Sequence, residues 1–345
     1  MPGAERLRYR QACIEMLFHP PAYTFLDALH IQAALSADFL PVCVAGIILT
    51  TLMDYAELNK HALSGWFPGH MLRAGKQLQE SIRLVDLLVE LLDARAPLSS
   101  RNPELLAGQR HKPRILLANK ADLADPAVSR QWEAYFAAAG ERIMFVNSHR
   151  LGNVRRLLQD WKQFAWAGKS RPAFVRPLRI MILGIPNVGK STLVNRLHRR
   201  NKVQVGPKPG VTRQNQWVSL DDGFELLDTP GVIWPRLRDK CHELLLNLLG
   251  NIRDEVVEPY LSAQFLCLKL QELGAEQRLI DLIGADAAKA EPEKTLTLYA
   301  RKRNFLLPGA EPDLERATVA FIKDFRDGKL GSLSLEKPPA TDKSF

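Results

Sequence analysis

The chain has 345 residues, 46% of them hydrophobic and 25% charged, with a formal net charge of +9. This is the composition of a folded protein with room for two domains, and it excludes disordered, collagen-like and disulfide-stapled chains. The four cysteines, Cys13, Cys43, Cys241 and Cys267, are scattered with no C-x-x-C pair, which fits reduced thiols and argues against a cysteine metal site.

Residues 39–53 are mostly apolar but contain Pro41 and Gly46. The run is too short and broken for a membrane-spanning helix, and too far along the chain for a secretory signal. Residues 1–61 are expected to be an extension packed on the following domain, or sequence upstream of the natural start; membrane attachment is the alternative. A domain spanning 62–235 is expected next. In it, residues 114–118 read as a strand that feeds Asn119-Lys120-Ala121-Asp122. A carboxylate at Asp122 accepts from both the ring N–H and the exocyclic amine of guanine, a donor pair adenine lacks. The Lys120 stem can lie over the base, and Asn119 can tie this loop to the phosphate loop. Residues 142–146 form a second apolar run. It ends at Asn147-Ser148, which either supports the guanine carbonyl or is a plain strand end. Residues 168–177 are a turn-rich joint.

Residues 179–183 are an apolar run that enters Gly184-Ile185-Pro186-Asn187-Val188-Gly189-Lys190-Ser191, a match to G-x-x-x-x-G-K-[ST]. Residues 192–200 favour helix, with Leu193 and Leu197 on one face. Strand, glycine-rich turn and helix together cradle phosphate oxygens on backbone N–H groups. Asn187, Val188, Gly189, Lys190, Ser191 and Thr192 are the candidate phosphate positions. Lys190 would reach the β and γ phosphates and Ser191 would ligate Mg²⁺. Downstream, Thr212 would give a second hydroxyl to Mg²⁺, Asp228 would hold it through water, and the Gly231 N–H would contact the γ-phosphate. The guanine motif precedes the phosphate loop, the reverse of the ordinary order. The fold class that follows is α/β: a circularly permuted P-loop GTP-binding domain, mostly parallel sheet with helices on both faces. A small all-α C-terminal domain follows it. That helical domain is expected over 236–333, with helices near 244–249, 261–273 and 311–327, and a flexible tail over 334–345.

The charge is uneven. Residues 62–231 hold 26 Lys/Arg against 14 Asp/Glu, whereas 232–345 hold 17 against 18. Nucleotide phosphates need few of these cations, so the surplus points to a polyanion such as RNA, with a merely solvated basic surface as the alternative.

The order Gly65-Trp66-Phe67-Pro68-Gly69-His70-Met71, Leu92-Asp93-Ala94-Arg95-Ala96-Pro97, Asn102-Pro103, Asn119-Lys120-x-Asp122, 184–191, Thr212, 228–231 and Trp234-Pro235 resembles the ribosome biogenesis GTPase A family (RbgA, YlqF), which includes the mitochondrial ribosome-associated GTPase. The resemblance covers about 64–336. The long N-terminal segment departs from the family pattern. The resemblance implies a GTPase of late large-subunit assembly whose helical domain contacts ribosomal RNA, cytoplasmic or in the mitochondrial matrix, monomeric, with no membrane. Val232 stands where many GTPases carry a water-orienting Gln. The resemblance points to His70 for that role, against a structural histidine in a Pro-Gly turn, and to Asn187 as a K⁺ ligand beside the Mg²⁺ site. Lys190 and Thr212 complete the expected catalytic set. Two other classes stay open: a tRNA- or membrane-associated GTPase, and a slow nucleotide-gated switch.

Overall fold

The computed structural model describes residues 55–63, 78–102, 112–167, 176–199, 216–220, 223–228, 237–287 and 290–339. Six described strands form one sheet: β1 (Leu87–Asp93), β2 (Arg114–Asn119), β3 (Arg142–Phe145), β4 (Leu178–Gly184), β5 (Gln216–Leu220) and β6 (Phe224–Asp228). Their order is β3-β2-β1-β4-β6-β5, parallel except for the antiparallel β5–β6 pair. β1 and β4 lie side by side at the centre, and their chains run off toward opposite edges. The crevice at the carboxyl ends of such a switch point is where open α/β sheets bind ligands. Counting strands from β4 gives the order 6-5-4-1-3-2, so the permutation moves the chain ends and leaves the sheet unchanged.

The sequence drives these elements in familiar ways. β1 is buried along its whole length, as expected of a central parallel strand. Leu88 and Leu92 alternate onto one face. Leu88 packs with Leu78, Ile82, Met181, Leu183 and Leu227. Leu92 packs with Leu116 and with Val128, Trp132 and Phe136 of α1 (Pro126–Ala138). Asp125 caps α1 by accepting from Ala127 N at 2.7 Å, and Pro126 opens it. Asn153 caps α2 (Val154–Ala165), which buries Leu157, Leu158 and Trp161. Helix α3 (Lys190–Arg199) follows the glycine-rich turn and packs on β4 and β6.

The chain divides into two compact units. One covers Trp66–Arg236 with Ser332–Glu336; the other takes in the described residues up to 63, Leu237–Gly331 and the residues from Lys337 on. The second unit is helical: α4 (Lys240–Leu248), α5 (Pro259–Glu272), α6 (Glu276–Ile283), α7 (Pro292–Lys302) and α8 (Leu314–Arg326). Leu244, Leu266, Leu270, Leu296 and Phe321 fill its core. The Arg326 guanidinium joins its two ends, donating to the Leu248 carbonyl at 3.1 Å and pairing with Asp254 at 2.7 Å. Cys241 and Cys267 are free thiols, and burial pushes both up to about 12, leaving them inert.

The observed arrangement differs from the expected division in two places. Residues 55–60, within the expected extension, form a helix that belongs to the helical unit. Tyr55 is buried there against Phe265, and its hydroxyl donates to Glu272 at 2.6 Å. The expected flexible tail from 334 instead begins as an ordered segment. Leu335 is 2% exposed and Ser332–Glu336 belong to the sheet unit, because alternating Leu333 and Leu335 bury apolar area while the intervening groups hydrogen-bond. The apolar run 39–53 lies outside the described residues. Among the described residues no helix is long and apolar enough to cross a membrane.

A buried polar knot ties α7 to α8. The Tyr299 hydroxyl donates to Asp324 Oδ2 at 2.7 Å, and Lys329 pairs with Oδ1 at 2.7 Å. Burial alone raises the Asp324 carboxyl, but bonds from Lys329 and Tyr299 and the Arg303 charge outweigh it and hold the group below its ordinary value. Replacing Tyr299 with Phe removes the short donor to Oδ2 and leaves it only the longer Arg303 pair at 3.4 Å, so Tyr299→Phe is expected to destabilise the helical unit by about 1.5–3 kcal/mol. A shift in its urea midpoint at unchanged slope measures this.

Candidate functional site

Three loops leave the carboxyl ends of parallel strands of one sheet: 184–189 after β4, and, on the far side of β1, 120–123 after β2 and 146–150 after β3. The register sets them level, because Gly184 pairs with Leu91 on β1, and Asn119 on β2 pairs with Asp93, two residues farther along. Gly184 (φ 151°) passes so close to β1 that a Cβ would sit 2.6 Å from the Leu91 carbonyl. Gly189 (φ 106°) is equally constrained, since a Cβ there would collide with the Asn119 amide. These two glycines let the loop approach the end of β1 and, beyond it, Asn119 at the end of β2.

Asn119 occupies the space Gly189 leaves. Its Nδ2 donates to the Val188 carbonyl at 2.8 Å, and its Oδ1 accepts from Ser148 N at 2.9 Å. One buried amide therefore joins all three loops. Ala121 N also donates to the Val146 carbonyl at 3.0 Å. Asn147 closes the β3 loop by accepting from His149 N at 2.9 Å. Ser148 is fully buried, and its hydroxyl has no hydrogen-bond partner among the described residues. Asp122 lies in a short turn, Ala121–Leu123, with its side chain exposed beside this group.

Lys190 is 7% exposed and curls back into the phosphate loop, donating to the Gly184 and Ile185 carbonyls at 3.1 and 2.9 Å. Ser191 and Thr192 follow on the first turn of α3, where the backbone N–H groups of a helix start and the helix dipole favour an anion. Asn187 (φ 56°) stands exposed at the loop's outer turn. Asp228 closes β6 opposite Gln216. Its side chain, and His70, Thr212 and Gly231, lie outside the described residues. The structure thus brings together Asn119, Lys120, Asp122, Asn147 and Ser148 on the base side, and residues 187–192 on the phosphate side.

Asp93 has no role that its sequence position alone reveals. Its carboxylate, fully buried at the end of β1, pairs with the Arg95 guanidinium at 2.9 Å and with Lys120 Nζ at 2.9 Å. Burial alone raises this carboxyl, but the Arg95 and Lys120 charges dominate and keep it ionised well below the usual carboxylate range. Asp93 so fixes the Lys120 stem, whose backbone is left-handed (φ 61°). The signal was an acid ending an otherwise apolar central strand, which only the Asp93–Asn119 register links to the base loop.

Comparison with known proteins gives the family. The family model described as 50S ribosome-binding GTPase matches residues 179–263. The chain is 37% identical over 282 residues to Ribosome biogenesis GTPase A of Bacillus pumilus, covering 79% of this chain and 98% of that protein. It is 32% identical over 301 residues to Mitochondrial ribosome-associated GTPase 1 of Bos taurus, covering 81% and 90%. Among solved structures it is similar to the GNP-bound YlqF of T. maritima, with a TM-score of 0.55 and 28% identity, covering 77% of this chain and 98% of that one. A GDP-bound YlqF structure gives a TM-score of 0.57 at 29% identity, covering 76% and 99%.

The Asn119 clamp yields a direct expectation. Asn119→Ala removes both bonds and orphans a buried carbonyl and a buried amide. Guanine-nucleotide affinity is expected to fall about 10- to 100-fold, measured by titration with GDP. Unchanged affinity would show that the three loops hold their places without the clamp.

Proposed function

The chain belongs to the ribosome biogenesis GTPase A family and hydrolyses GTP in ribosome biogenesis; from that premise we propose that it acts on precursors of the large ribosomal subunit, binding them in the GTP state and leaving after hydrolysis. The observation that carries this reading is the joined three-loop site, in which a base-reading turn and a phosphate loop share one buried amide. The basic surplus of residues 62–231 supports an RNA partner beyond the nucleotide itself. We place the protein in the cytoplasm or the mitochondrial matrix, working as a monomer.

The residues divide the work. Asp122 accepts from the guanine ring N–H and amine, Lys120 covers the base, and Asn147 and Ser148 face its carbonyl. Val188, Gly189 and Thr192 give backbone N–H groups to the phosphates. Lys190 shifts from the loop carbonyls to the β and γ phosphates. Ser191, Thr212 and Asp228 offer the hard oxygen donors that suit Mg²⁺. Such an ion, when bound, neutralises charge on the phosphate oxygens, and K⁺ at Asn187 adds to that. His70 orients the attacking water, because aliphatic Val232 cannot. Gly231 senses the γ-phosphate. It is followed within a few residues by the helical segment from 237, a short path from hydrolysis to release.

Two measurements test this reading. Asp122→Asn is expected to move preference from guanine toward xanthine nucleotides, while the natural protein binds ATP at least about 100-fold more weakly than GTP. Equal affinity for ATP and GTP would remove the base assignment. Co-sedimentation with large-subunit precursors is expected to be stronger with a GTP analogue than with GDP, and to weaken as salt rises. Sedimentation that ignores both nucleotide and salt would instead favour a GTPase working elsewhere, on tRNA or at a membrane.

A further inference from the structure

Residues 332–336 lie along the turn that carries Asp122. The Ser332 hydroxyl donates to the Asp122 carbonyl at 3.1 Å, and Leu333 N donates to the Leu123 carbonyl at 2.8 Å. Asp125 N donates to the Ser334 hydroxyl at 3.1 Å. Beyond the turn, Leu335 N donates to the Arg95 carbonyl at 2.8 Å. The strand-like strap ends on Glu336, whose carboxylate accepts from Leu98 N at 2.9 Å, Ser99 N at 3.1 Å and the Ser99 hydroxyl at 2.8 Å. The Glu336 carbonyl accepts from Trp132 Nε1 at 3.2 Å.

The turn needs such support. It is a single tight turn entered through left-handed Lys120, with no side-chain cap. The Asn119 amide and the Ala121–Val146 bond hold its entry. The strap holds its far side, at residues 122, 123 and 125. A carboxylate that must meet two donors of one base has to be placed within a few tenths of an ångström.

We propose that the strap Ser332–Glu336 positions Asp122, so that discrimination of the guanine exocyclic amine depends on a segment more than two hundred residues away in the chain. Ser332, Ser334 and Glu336 are positioning residues: none contacts the base-reading carboxylate itself. The proposal rests on Asp122 as the guanine acceptor, and the test separates the two ideas.

The test compares GDP with IDP, whose hypoxanthine lacks only the exocyclic amine, and with ADP, using the full-length protein and its variants. The natural protein is expected to prefer GDP over IDP by about 10- to 100-fold, the size of a hydrogen bond to a charged group. Truncation after Gly331 is expected to lower that ratio at least about fivefold, and the milder pair Ser332→Ala with Ser334→Ala about two- to threefold. IDP affinity changes less than GDP affinity in both. If the truncated chain fails to fold by circular dichroism, the double variant and Glu336→Ala decide. GDP and IDP weakened by the same factor, with the ratio intact, would overturn the proposal and leave the strap a stabilising element only. Equal binding of GDP and ADP by the natural protein would instead overturn the base assignment beneath it.

Discussion

One buried side-chain amide holds the nucleotide site together. Asn119 donates to the phosphate loop and accepts from the β3 loop while its own backbone leads into the base-reading turn. An amide suits this place because it carries a donor and an acceptor on one rigid plane. Asp offers no donor and Leu offers neither. The clamp also dictates its neighbour, since any side chain at 189 would occupy the volume of the Asn119 amide. The spacing of the three loops is thereby held by two hydrogen bonds to one planar amide.

Around the clamp, the buried carboxylate at the end of β1 is closely paired. Asp93 is buried but ionised, because Arg95 and Lys120 both reach it. Lys120 is thus an oriented stem, and its ammonium is engaged on the sheet side. Glu90, deeper in β1, shows the opposite balance: burial outweighs the pull of Arg101 and Arg114, and its carboxyl is raised. The two acids lie three residues apart on one strand. They differ in how closely cations approach, at 2.9 Å for both partners of Asp93 but at 3.3 and 4.0 Å for those of Glu90.

Permutation costs this site little, for a geometric reason. The crevice is produced by strand order, with β1 and β4 adjacent and their connections diverging. Strand order does not depend on where the chain is cut. Placing the phosphate loop after the base motif brings the helical segment directly downstream of residues 228–231, and it sends the end of that segment back as the strap on the base turn. The helical segment is thus inserted in the chain between Arg236 and Ser332 of the sheet unit.

Local signals were enough for the motif-bearing loops. The glycines and Lys190-Ser191 mark a phosphate turn because only that spacing frees the backbone N–H groups. Asn119 to Asp122 mark base reading because the carboxylate chemistry is specific. Flanking apolar runs located β2, β3 and β4 to within a residue or two. β1 was not read as a strand, because an apolar run with one acid in it is ambiguous between helix and strand until its neighbours are known. The edge strand β5, with exposed Trp217 stacked under Arg179, carries no alternation strong enough to declare itself. The roles of Asp93 and Glu336, the membership of residues 55–60 in the helical unit, and the strap itself were decided by tertiary structure alone. Each depends on contacts between residues far apart in sequence, and composition and periodicity hold no information about which distant segment will pair.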